Sequence, residues 1–189
     1  FPQRLEDVHD VFSMNNTTAL MFMTSIGSEQ RGTHHVFSLD RKKFSAYPSP
    51  WIIPYDDSYK SEWIHLHDRL FPNTYYSGNQ ILERLNDHRK LFLAVDNGEL
   101  LGYAYVEASP EFQDGSVEFI GTKERARNRG MGTSLLQSAL SFLFQFQEIE
   151  QVRLTVEASN PHAVRIYEKA GFTKDKTLVH FVYNHSKSS

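Results

Sequence analysis

No cysteine occurs among the 189 residues. That excludes a disulfide scaffold, a thiolate metal site and a cysteine nucleophile, so any group transfer must use another nucleophile or proceed by direct attack. Long apolar runs are also missing. The longest, Ala19 to Met23 and Leu91 to Val95, hold five residues, whereas a membrane span needs about twenty; no membrane association is expected. Neither sign of charge dominates. The 20 Lys and Arg face 23 Asp and Glu, a net charge of −3, which leaves no broad basic surface for nucleic acid. The chain opens Phe1-Pro2, with neither Met nor the basic-then-apolar pattern of a signal peptide. A processed or truncated chain, cytoplasmic by default, is the expectation.

What is present is the composition of a globular protein: 40% apolar, 13% aromatic and 23% charged residues. The length fits one domain, or one domain with an extension. The sharpest break is Tyr47-Pro48-Ser49-Pro50, where prolines two apart enforce an extended passage. It divides a segment 1–50, an extension or the remnant of a preceding domain, from a main domain 51–189. In the first segment, Ala19 to Thr24 and His35 to Leu39 read as two strands of a hairpin around a loop containing Gly27 and Gly32. Two strands alone are marginal in water, so they must dock on the main domain, on missing sequence, or on a second copy in a homodimer.

The main domain reads β-α-α-β-β-β-α-β-α-β, a mixed α/β order. A strand at Trp51 to Ile53 is followed by a helix from Tyr59 to Leu70, with Trp63, Leu66 and Leu70 on one stripe, and by a second helix capped by Ser77. Asp96-Asn97-Gly98 is a two-residue hairpin turn between Leu91–Val95 and Leu100–Glu107. Val117 to Gly121 is the next strand, with Ser116 and Glu118 expected on one face and Val117 and Phe119 on the other. A helix from residue 131, a strand Gln151 to Glu157, a helix opened by Asn160-Pro161 and closed by Gly171, and a strand Leu178 to Tyr183 complete the order.

The loop Arg127-Asn128-Arg129-Gly130-Met131-Gly132 stands just before a helix. The first amides of a helix lack partners, and its dipole is positive there. Glycines admit an anion to those amides, and Lys123, Arg125, Arg127 and Arg129 add charge around them. A pyrophosphate fits such a loop; glycines that merely shape a turn are the other reading. A Walker A motif fails because Thr133 follows Gly132, and a dinucleotide fingerprint fails at Leu135.

Arg127-x-x-Gly130-x-Gly132, followed in order by Asn160-Pro-His-Ala163-Val-Arg-Ile-Tyr167-Glu-Lys-Ala-Gly171-Phe172, resembles the two signatures of the GNAT superfamily of acetyl-CoA-dependent N-acetyltransferases. The resemblance covers about residues 51–184 and implies a central mixed sheet flanked by helices, here with a β-hairpin-like N-terminal extension. It also implies acetyl-CoA as co-substrate, its pyrophosphate on the amides of Arg127, Asn128, Arg129, Gly130, Met131 and Gly132, with the Thr133 or Ser134 hydroxyl nearby. The cofactor arm would run along the strand carrying Phe119, Ile120 and Thr122, and Asn160 would contact that arm besides capping its helix.

Tyr167 matches the family tyrosine near the thioester sulfur. A phenol near pKa 10 is a weak acid toward a thiol, so its help is that of a placed hydrogen-bond donor; a core aromatic is the alternative. The acceptor, a small-molecule or peptide amine, is mostly protonated at neutral pH and needs a base. Glu118 is the candidate, against an ordinary exposed strand carboxylate, and an amide near Phe119 or Ile120 is the candidate oxyanion donor. Tyr75 and Tyr76, between the first two main-domain helices, are candidate acceptor contacts. No metal is expected: His65 and His67 lie about 200° apart on a helix, and His34-His35 sits at a loop-to-strand junction. Direct transfer to an amine, a non-catalytic coenzyme A-binding module, and an assembly role for segment 1–50 are the competing functional readings.

Overall fold

The computed structural model describes residues 8–46, 51–72 and 74–183. The double-proline break at 47–50, Asn73 and the polar tail 185–189 lie outside them. The chain runs β1 (Val8–Ser13), α1 (Thr17–Ser25), β2 (Glu29–Asp40), β3 (Ile52–Pro54), α2 (Lys60–Leu70), α3 (Gly78–Arg84), β4 (Arg89–Asp96), β5 (Glu99–Ser109), β6 (Asp114–Thr122), α4 (Met131–Leu143), β7 (Gln151–Glu157), α5 (Pro161–Lys169) and β8 (Thr173–Tyr183). From β3 onward this is the order expected from sequence.

The strands form one sheet in the order β1-β8-β2-β7-β6-β5-β4-β3. Every pairing is antiparallel except β6 with β7. Alternating side chains give the sheet two apolar faces. On one, Leu101, Ala104, Val106, Val117, Val152 and Leu154 pack beneath Leu135, Leu136 and Leu140 of α4. On the other, Leu93, Tyr103, Tyr105 and Phe119 pack beneath Trp63 and Leu66 of α2 and Ile81 of α3. α3 starts on a capping box, with Gln80 N–H donating to the Ser77 hydroxyl and Ser77 N–H to the Gln80 side chain. The hairpin turn is as expected, Asn97 and Gly98 both having positive φ.

The N-terminal segment departs from expectation in two ways. Ala19 to Thr24 is helical, within α1. A five-residue apolar run does not by itself distinguish strand from helix; Ala, Leu and Met favour helix, and the Asn16 side chain caps it by accepting from Ala19 N–H at 3.1 Å. There is also no hairpin. β1 and β2 both pair with β8, and β2 is inserted between β8 and β7. Phe37 and Leu39 of β2 are buried in the core beneath α4.

Candidate active site

Two interruptions of the sheet shape the site. β6 and β7 pair only from Asp114–Val117 to Gln151–Leu154. Beyond that the two strands separate, leaving an edge of β6 from Glu118 to Thr122 without a β7 partner. The second interruption is a bulge. Across β5, Tyr105 pairs with Phe119 and Val106 pairs with Val117, so Glu118 is the extra residue between them. The expected strict alternation therefore breaks: Val117 faces the α4 cluster and Phe119 the α2 cluster. The bulge re-aims Glu118 toward the gap.

A cleft of about 1100 Å³ opens where the strands part. β6 contributes Glu118, Phe119, Ile120 and Thr122; the following loop contributes Arg127, Asn128 and Gly130; the first turn of α4 contributes Met131, Gly132 and Thr133; α5 and its cap contribute Tyr167 and Asn160; Tyr75 also lines the cleft. Two candidates lie elsewhere. Arg129 is not on the cleft wall, its guanidinium being paired with Asp96 at 2.8 Å. Tyr76 turns away too, its ring lying under the Arg84 guanidinium at 4.3 Å.

The anion loop ends at Gly130, which has φ +79°, a left-handed conformation that favours glycine. α4 has no side-chain cap, unlike α5, where the Asn160 side chain accepts from Ala163 N–H at 3.1 Å. The first backbone bond of α4 is Ser134 N–H to Gly130 carbonyl, so the amides of Met131, Gly132 and Thr133 have no backbone acceptor among the described residues. At Gly132 a Cβ would meet only Ile166, at 3.6 Å. The protein's own packing thus leaves room for a side chain there, and glycine keeps that room open to the cleft. The Arg127 N–H, expected to face the anion, instead donates to the Glu124 carbonyl at 3.1 Å and leaves only the guanidinium of that residue for it; the free α4 amides, an open glycine and that side chain fit a pyrophosphate. The other loop cations are engaged: Lys123 with Glu62 at 2.6 Å, and Arg125 with Glu99.

Tyr167 is 6% exposed, packed against Phe37 and Phe172, and also lines the cleft. The core and cleft readings of this residue coincide. Burial pushes its phenol up to about 12, so the hydroxyl stays protonated and able to donate. At the far end the Tyr75 hydroxyl donates to Glu118 Oε2. Burial of that hydroxyl, then the bond to the Glu118 carboxylate, push its phenol well above the ordinary value.

Several cleft residues escaped the sequence reading. Arg153, Thr155 and Glu157 line it from β7; their alternation with buried Val152, Leu154 and Val156 was a usable signal. His34 lines it from β2, opposite Glu157 in the ladder. Nothing local marked His34, because its place depends on the insertion of β2. Among the described residues no group of three or more His, Asp or Glu is placed to hold a metal ion, and no helix is long and apolar enough to cross a membrane.

Comparison with known proteins agrees with this fold. An N-alpha-acetyltransferase of Sulfurisphaera tokodaii is 30% identical over 111 residues, covering 53% of this chain and 66% of that protein. A mycothiol acetyltransferase of Thermobispora bispora is 33% identical over 125 residues, covering 59% of this chain and 42% of that protein. The chain thus spans only part of the length of these relatives. Among solved structures, a GCN5-related N-acetyltransferase from Sphaerobacter thermophilus superposes with a TM-score of 0.74 at 18% identity, over 96% of this chain and 61% of that one. A tandem GNAT protein from the clavulanic acid biosynthesis pathway gives 0.71 at 16% identity, over 97% of this chain and 65% of that one. At such identities the likeness is one of fold. Residues 47–172 match the model of the Acetyltransferase (GNAT) family, and the chain belongs to that family.

Proposed function

We propose that the protein transfers the acetyl group of acetyl-CoA directly to a primary amine of a small molecule or peptide. The observation that carries this reading is the convergence, in one cleft, of the uncapped α4 amides, the bulged Glu118 and the buried Tyr167. The names of the relatives, an N-alpha-acetyltransferase and a mycothiol acetyltransferase, support acetyl transfer.

Bound acetyl-CoA supplies a thioester carbonyl that an amine can attack. The backbone amides of Met131, Gly132 and Thr133, with the Arg127 side chain, would hold its pyrophosphate, and the unpaired edge of β6 would lie alongside its arm. The acceptor arrives as an ammonium. Glu118, directly or through a water, takes its proton and frees the lone pair. The nitrogen adds to the thioester carbon while an amide of the Phe119–Ile120 stretch faces the oxygen on which charge develops; the C–S bond then breaks, and the departing thiolate takes the second proton from the acetylated nitrogen. Tyr167 donates a hydrogen bond to the departing sulfur. The products are an N-acetylated amine and free coenzyme A. With no cysteine in the chain, this route needs no cysteine acyl-enzyme.

The test is thiol release from acetyl-CoA across a panel of peptide α-amines, amino sugars and alkylamines. Turnover with at least one class, lost in Glu118→Gln, supports the proposal. Cofactor binding without turnover on any amine overturns it in favour of a coenzyme A-binding module.

A further inference from the structure

His67, on α2, is fully buried, and both ring nitrogens are engaged. Nε2 lies 2.8 Å from the Tyr76 carbonyl oxygen. A carbonyl can only accept, so Nε2 carries a proton. Nδ1 lies 2.5 Å from the Tyr103 hydroxyl. A neutral imidazole has one N–H, so Nδ1 accepts and Tyr103 donates. Burial, with the Asp68 charge second, raises the Tyr103 phenol well above its ordinary value, which keeps that donor protonated. The ring cannot easily turn: Trp63 stacks on it at 5.7 Å and Phe119 meets it edge-on at 5.0 Å.

The imidazole thus joins three parts of the fold. Tyr103 is on β5, His67 on α2, and Tyr76 in the irregular stretch between α2 and α3. The residue before Tyr76 is Tyr75, whose hydroxyl reaches Glu118 and whose ring lies 5.1 Å from that of Phe119. One further bond, Gly78 N–H to Asp68 Oδ1 at 3.3 Å, ties the start of α3 to α2. Tyr75, on the wall of the cleft beside Glu118, is therefore held from behind by a side chain that does not line the cleft.

We infer that His67 is a positioning residue for the amine acceptor: by holding the Tyr76 carbonyl it fixes Tyr75 over Glu118. Its kinetic consequence rests on the proposed acetyl transfer, but the tether itself does not. A histidine suits the place because it donates to a carbonyl at one edge and accepts from a phenol at the other. Leucine or phenylalanine would fill the space and leave two buried polar groups unpaired.

The test compares His67→Phe, His67→Gln and Tyr103→Phe with the parent chain. Backbone hydrogen exchange over residues 70–78 should rise at least about tenfold in His67→Phe, while α4 and α5 keep their protection. The acceptor kcat/KM should fall about tenfold through loss of orientation, with the KM for acetyl-CoA within about twofold of the parent. Adding Tyr75→Phe to His67→Phe should cost little more, because both break the same link. Glutamine can donate and accept, so His67→Gln should recover most of the loss. Unchanged exchange at 70–78 overturns the inference, as does an equal fall in both substrates' kinetic parameters. Should His67→Phe fail to fold, ring 15N shifts of the parent chain still decide: an Nε2–H tautomer is required, and an Nδ1–H tautomer overturns the tether. If the parent turns over no amine, acetyl transfer fails as a reading, while exchange and tautomer still judge His67.

Discussion

The Tyr75 hydroxyl donates to the Glu118 carboxylate at one end of the cleft, the end the proposed transfer gives to the acceptor. The contact joins the loop between α2 and α3 to the one bulged residue of β6. An incoming ammonium that gives its proton to Glu118 must share this carboxylate with Tyr75 or displace it.

Glu118→Gln should therefore lower kcat/KM for the amine by about 100-fold or more, the usual range for loss of a general base, and leave the dissociation constant for acetyl-CoA unchanged. Tyr75→Phe keeps the base and should cost about tenfold, as loss of the His67 tether does, chiefly in the acceptor KM. Steady-state kinetics with titration calorimetry of acetyl-CoA checks both. A Glu118→Gln enzyme of parental activity would move the base elsewhere in the cleft, with Glu157 and His34 next in line.

Gly132 separates folding from cofactor binding. Its Cβ position meets only Ile166 at 3.6 Å, and alanine is the better helix former by up to about 1 kcal/mol. Gly132→Ala should melt at the parental temperature or slightly higher. The added methyl nevertheless stands where a pyrophosphate would approach the α4 amides, so the KM for acetyl-CoA should rise about tenfold, a change of about 1.4 kcal/mol. A rise in KM together with a lower melting temperature would instead mark ordinary misfolding.

Tyr167 makes a prediction with a definite sign. Burial raises its folded pKa to about 12, from 10.0. Native and unfolded chains are both protonated below pH 10, and the stabilising contribution is complete there. Between about 10 and 12 the unfolded chain loses the proton first, so stability falls as pH rises. Tyr167→Phe, which keeps the ring against Phe37 and Phe172, should flatten this alkaline loss in a series of thermal melts. The same variant should lower kcat by about ten- to a hundredfold through loss of one aimed donor, with no new ionisation in the activity profile between pH 6 and 9.

What was legible in the sequence was local. The Asn97-Gly98 turn, the Ser77 and Asn160 caps and the helical stripe of Trp63 and Leu66 each depend on near neighbours in the chain, and they give the element order from β3 to β8. The two glycines and Arg127 mark the anion loop for the same reason. What escaped depends on partners distant in sequence. A bulge is a property of two strands, so Glu118 alone did not announce that Val117 and Phe119 would face opposite ways. Arg129 and Arg125 looked like phosphate ligands until Asp96 and Glu99, about 30 residues earlier, proved to hold them. His67 offered no sign of its two partners, one of them 36 residues away.

The position of β2 yields the last prediction. The family match begins at residue 47, which would suggest that the preceding residues are dispensable. The sheet argues otherwise, because β2 supplies the antiparallel partner of both β7 and β8, and among the described residues no ladder pairs β7 with β8 directly. Loss of the buried Phe37 side chain alone costs about 3–5 kcal/mol and loss of Leu39 about 2–5, against a whole-domain stability of about 5–15 kcal/mol. A chain of residues 51–189 should give no cooperative melt and should bind a hydrophobic dye. A synthetic peptide of residues 29–40, added during refolding, should restore both the melt and acetyl-CoA binding by taking the vacant place in the sheet. Cooperative unfolding of 51–189 at the parental temperature would show that β7 and β8 can close on each other without β2.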